Sequence, residues 1–63
     1  MTELEKIKHL LQHFIEHTEE HAQEFAELAE KAQKEEGGEA LAEAIRSASQ
    51  KLKEAVAILK PFV

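Results

Sequence analysis

The chain contains no cysteine, aspartate, tyrosine or tryptophan, and only one proline, two glycines and three phenylalanines among its 63 residues. Without cysteine there is no disulfide and no thiolate metal site, which excludes a secreted disulfide scaffold as well as a cysteine nucleophile. Without aspartate, tyrosine or a glycine-rich phosphate loop, and with Ser47 and Ser49 in no activating sequence context, catalysis has little to stand on. A non-enzyme is expected. No apolar run approaches the roughly 18–20 residues of a transmembrane span, and the N-terminal Met-Thr-Glu-Leu-Glu-Lys has neither a basic n-region nor an apolar h-region. A cytoplasmic protein is the expectation. Positive charge is scarce too: 13 acidic against 8 basic residues give a net charge of −5, which argues against nucleic acid and against an anionic membrane surface.

The residues that remain, Ala, Glu, Lys, Leu and Gln above all, are strong helix formers. Thr2 can cap a first helix while Glu5 completes a capping box, and nothing breaks the pattern before Gly37-Gly38, which reads as a helix C-cap and tight turn. A second helix then runs until Pro61, which cannot donate the next helical hydrogen bond. The expectation is one all-α domain over residues 1–63, an antiparallel two-helix hairpin with helices at about 2–36 and 39–60 and the turn at 37–38.

On a heptad the first helix places Leu4, Leu11, Thr18, Phe25 and Ala32 at one core position and Ile7, Phe14, His21 and Leu28 at the other, with Leu10, Ile15, Ala22 and Ala29 widening the stripe. The second helix places Leu41, Ala48, Ala55 and Phe62 with Ile45, Leu52 and Leu59, flanked by Ala44 and Val56. The first helix is longer, so folding back at the glycines leaves Leu4, Ile7, Leu10 and Leu11 with little intramolecular cover. Ordering 63 residues costs on the order of 95 kcal/mol, and a domain this small buries only about 60% of its unfolded surface, so it needs help. Self-association into a homodimeric four-helix bundle is the simplest solution; a partner chain of another kind is the competitor. Residues 1–36 carry ten Glu and four Lys, residues 37–63 three Glu, three Lys and one Arg, which favours the first helix lying beside the second. Most of these charges form a solvated face.

All four histidines fall at intervals of four: His9, His13, His17 and His21. Each step turns 40° around a helix, so the row spirals from a solvent position at His9 to a core position at His21. Imidazoles four apart can meet one ion at about 2.0–2.1 Å, and carboxylates follow three residues after His13, His17 and His21, at Glu16, Glu20 and Glu24. His13, His17, His21, Glu20 and Glu24 are therefore candidate metal ligands. His17, His21 and Glu24 share one edge, and a two-fold bundle would bring a second set close. Neutral imidazole with carboxylate suits Ni or Zn better than Ca or Mg. For His9 and His13 an exposed role in charge and solubility is the plainer reading. For His21 the alternative is a polar core layer with Thr18, satisfied by a carboxylate or by Ser47 or Ser49, that fixes register and loosens near pH 6 in a non-catalytic interaction hairpin. Glu-x-x-His and His-Glu-x-x-His are both absent, which disfavours di-iron oxidation and metalloprotease chemistry.

The stretch Leu10-Leu11-Gln12-His13-Phe14-Ile15-Glu16-His17-Thr18-Glu19-Glu20-His21-Ala22-Gln23-Glu24-Phe25 resembles the core of a family of short, uncharacterised prokaryotic helical hairpins, some found beside or fused to CooT-type small nickel-binding proteins. The resemblance singles out His13, His17 and His21, with Glu16, Glu20 and Glu24 beside them, and leaves His9 outside. Gln12 and Phe14 stand where that family commonly has Pro and Trp, so the helix is expected to be straighter here. The resemblance implies a metal and supplies no reaction.

Overall fold

The computed structural model describes residues 2–63. Helix α1 spans Glu3–Gln33 and helix α2 Glu39–Leu59, followed by a 3-10 turn over Lys60–Phe62. The two helices pack against each other as a hairpin in a rod of 53 × 15 × 12 Å. Thr2 caps α1 as its hydroxyl predicts: Oγ1 accepts from the Glu5 N–H at 3.1 Å.

The first helix ends three residues earlier than expected, at Gln33 rather than about Glu36. The chain tightens there into three-residue hydrogen bonds, Lys34 N–H to Lys31 O at 3.3 Å and Glu35 N–H to Ala32 O at 3.1 Å. Gly37 then reverses direction at φ +80°, and Gly38 opens α2 through the Ala42 N–H to Gly38 O bond at 2.9 Å. The two glycines serve differently. A Cβ on Gly37 would meet open space and only its positive φ opposes substitution, whereas a Cβ on Gly38 would be driven into the Ala32 carbonyl. Gly37→Ala should therefore cost about 1–2 kcal/mol, and Gly38→Ala more, because backbone rather than a flexible side chain must move. Thermal melts of the two variants check that order.

The seam between the helices is made of small residues. Ile15, Ala22 and Ala29 of α1 and Ala42, Ser49 and Val56 of α2 are buried, with Ala29 and Ala42 wholly inaccessible; Leu11, Thr18, Phe25 and Ala32 face Ile45 and Leu52 at half-buried positions. Alanines let the backbones approach closely, and Ser49 uses the approach: its Oγ donates to Ala22 O at 2.9 Å across the seam. Ser49→Ala removes that bond and should lower stability by about 1 kcal/mol in urea unfolding, since the Ala22 carbonyl retains its helical partner. Thr18 Oγ1 donates to Phe14 O at 2.7 Å, closing on its own helix.

This seam corrects the expected core by one file on each helix. Ile15, Ala22 and Ala29, expected at the edge, lie at its centre, while Ile7, Phe14, His21 and Leu28, expected inside, are exposed. In α2 the inner file is Ala42, Ser49 and Val56, and Leu41, Ala48, Ala55 and Phe62 lie outside. The physical reason is backbone distance. In α1 the inner file carries the small residues Ala22 and Ala29, which let α2 approach; in α2, where Ala48 and Ala55 of the outer file are as small, Ser49 marks the inner file because its hydroxyl finds Ala22 O across the seam.

Candidate functional site

Each helix flanks the seam with one file on either side, and the two sides of the hairpin differ. On one side the files are polar and meet across the seam: Lys60 Nζ bonds Glu19 Oε2 at 3.1 Å, and the Arg46 guanidinium bonds the Gln33 side-chain oxygen. These two contacts join side chains of α1 to basic side chains of α2 across the seam. The Glu19–Lys60 pair is about half exposed and contributes at most about 1 kcal/mol.

On the opposite side, Ile7, Phe14, His21 and Leu28 of α1 run beside Leu41, Ala48, Ala55 and Phe62 of α2. Leu10 and His17 extend this face on α1 and Ile58 on α2. Leu4, Ile7, Leu10, Phe14, Leu28, Leu41, Ile58 and Phe62 are all exposed, between 49% and 69%. Because α1 measures about 46 Å and α2 about 31 Å, Leu4, Ile7 and Leu10 project beyond the end of α2. The hairpin is thus wet and charged on one side and apolar on the other.

The histidine row crosses this second face rather than the seam. His9 and His13 lie on the solvent side of α1 away from both, His17 stands at the edge of the apolar face, and His21 stands within it, between Phe14 and Leu28 in the same file. Neither His17 nor His21 is buried; their side chains are 69% and 61% exposed. His21 therefore has no cross-hairpin partner in Ser49, whose hydroxyl is committed to Ala22. The accompanying carboxylates lie beside the rings: His17 Nδ1 is 3.8 Å from Glu20 Oε2, and His21 Nδ1 is 3.6 Å from Glu24 Oε2. Both pairs are i, i+3 on the helix surface, so the spacing of the sequence alone produces them. Of the expected ligands, His17 lies beside Glu20 and His21 beside Glu24, and His13, one turn before His17 on α1, is farther round the helix from the apolar face. Among the described residues, no three His or Glu side chains within one chain are placed to hold a metal ion.

Sequence reasoning did not single out Leu41 and Ile58 as surface residues, or Ser49 as the polar bond of the seam. The signal was present as two apolar files per helix, too wide for one neighbour. Among the described residues, no helix is long and apolar enough to cross a membrane.

No curated protein and no solved structure matches the chain. A family model does match, over residues 7–62, which takes in α1 from Ile7 onward, the glycine turn and the whole of α2. The chain therefore belongs to the family described as a domain of unknown function, DUF8180.

Proposed function

We propose that this hairpin is a non-catalytic self-association module, two copies joining through their apolar faces into a homodimeric four-helix bundle. The observation that carries the reading is the one-sided surface. Ten large apolar side chains are exposed, while among the described residues the buried set contains no large aromatic and no leucine. A 7.1 kDa monomer is expected to expose about 4,100 Å², and this chain exposes 5017 Å². The excess, roughly 900 Å², is close to the ~800 Å² that each partner loses in a standard protein interface.

The face favours a second copy over a foreign chain because it is self-complementary in length. The projecting Leu4, Ile7 and Leu10 lack cover because α2 is too short, and the element long enough to cover them is another α1, running antiparallel. A two-fold axis across the middle of α1 sets each projecting end against the turn-proximal half of the other copy's α1, where Leu28 is exposed. The strongly charged side of each hairpin then stays in water. Sedimentation of the full chain over a range of concentrations, in EDTA, tests the reading: a dimer at micromolar concentration supports it, and a folded monomer at every concentration overturns it. The likeness of residues 10–25 to hairpins accompanying nickel-binding proteins adds no reaction to this reading.

A further inference from the structure

Resting on the self-association just proposed, we infer that the dimer holds one divalent transition-metal ion, of the zinc or nickel class, on its two-fold axis between His17 and His21 of each copy. Among the described residues no three His or Glu side chains of one hairpin are placed to hold an ion, so the site is incomplete without the second chain. Three observations converge on it.

The first is placement. His17 and His21 are the two histidines of the row that reach the apolar face, four residues and one turn apart, with their Cβ atoms about 5–6 Å from each other. The second is register. On this face Leu10 and His17 form one file, and His21 and Leu28 the adjacent one. The antiparallel pairing of two α1 helices that sets Leu10 against Leu28 of the second copy also sets His17 against its His21. Symmetry repeats both contacts. The axis then passes between residues 17 and 21, and four imidazoles surround one point, with a Leu10–Leu28 pair closing each end. The third is ring orientation. Both rings turn Nδ1 toward a carboxylate, Glu20 for His17 and Glu24 for His21, at 3.8 and 3.6 Å. Those separations are longer than a hydrogen bond, so the carboxylates face Nδ1 without bonding it and Nε2 is the nitrogen for an ion; metal binding that draws each contact in to hydrogen-bond length completes the carboxylate–histidine–metal order. Glu20 and Glu24 thus act as positioning residues rather than as ligands.

The chemistry of the donor set selects the ion. Four neutral imidazoles suit a borderline cation such as Zn²⁺ or Ni²⁺ and offer nothing to Ca²⁺ or Mg²⁺, which require oxygen. The dimer's own charge, −5 per chain, attracts any dication. A bound ion also engages Nε2 of two imidazoles that would otherwise interrupt an apolar interface with only the carboxylates of their own helix nearby.

The test is zinc binding by the full chain, measured by equilibrium dialysis against ZnCl₂, with sedimentation in parallel and NiCl₂ as a second probe. The expected result is half an equivalent of zinc per chain and a melting temperature raised by several degrees. The double variant His17→Ala/His21→Ala should lose the half-equivalent, and His9→Ala/His13→Ala should keep it. Glu24→Gln should keep the stoichiometry and weaken the affinity about 10- to 100-fold. A chain that is dimeric in EDTA but takes up no zinc or nickel, or takes up one ion per chain, overturns the site and leaves the association standing. So does retention of the half-equivalent by the double alanine variant. A chain that is monomeric both in EDTA and in zinc overturns both readings. A chain that is monomeric in EDTA and dimeric with half an equivalent of zinc supports the site and removes metal-free association.

Discussion

Replacing Phe14 by Glu is expected to turn the dimer into a monomer while leaving the hairpin folded. Phe14 is 57% exposed in the single chain, so the substitution removes little from the seam between α1 and α2. In the dimer, the register that sets Leu10 against Leu28 sets Phe14 against Glu24 of the second copy, so the substitution removes an apolar contact and places a second carboxylate against the first. Fully burying one such side chain is worth about 1.5–3 kcal/mol, and two-fold symmetry counts the loss twice. The penalty is therefore about 3–6 kcal/mol before the cost of the charge, which weakens association by roughly 10²- to 10⁴-fold. Sedimentation velocity at fixed concentration reads the change directly. A second signature comes from heat: the wild-type melting temperature should rise with protein concentration, and that of the variant should not. Unchanged sedimentation of Phe14→Glu would show that another surface is the interface. Lys53→Glu, on the charged side, is the matched control and should leave association intact.

Ile15→Ala, one residue along the same helix, should do the opposite, destabilising the hairpin itself. Ile15 is the largest of the buried side chains, with 4% of its surface accessible. Truncating a buried Ile to Ala costs about 2–5 kcal/mol, the sum of lost transfer energy and the cavity left behind. A chain of this length commands only about 3–9 kcal/mol in total, so the variant should be mostly unfolded or lose most of its denaturation midpoint. Urea unfolding followed by circular dichroism measures it. The neighbouring Phe14→Ala provides the contrast. At a protein concentration too low for dimers, Ile15→Ala should remain severely destabilising and Phe14→Ala close to neutral. Equal losses at the two positions would contradict the assignment of one to the seam and the other to the outer face.

That pair of neighbours also shows where reading the sequence stops. Phe14 and Ile15 are both large, apolar and 100° apart on a helix, and hydrophobic periodicity allots either to the core. What separates them is the company of the following turns. Ile15 is continued by Ala22 and Ala29, which allow close backbone approach, and Phe14 by His21 and Leu28, which do not. An expected polar core at His21 rested on placing the bulkier file inside. With the file shifted, His21 moves to the surface and needs no partner inside the hairpin.

The turn shows the same division on a smaller scale. Gly37-Gly38 marks a reversal in the sequence, but the end of α1 at Gln33 depends on where Gly38 can come to rest against the Ala32 carbonyl. The histidine spacing, by contrast, was fully legible. Intervals of four, with glutamates three further on, place His17 beside Glu20 and His21 beside Glu24 in any helix, and those pairs are present.

The amino-acid sequence by itself determined that this chain is helical, where it turns, how its charges divide between the helices, and that four histidines wind along one of them. These are local properties, set by propensity, capping and a 3.6-residue repeat. Only the tertiary structure decided which of two adjacent apolar files closes the hairpin and which is left facing outward. That choice depends on the distance between two backbones, which falls where Ala22, Ala29, Ala42 and Ser49 meet, and a single helix carries no record of its neighbour's small residues.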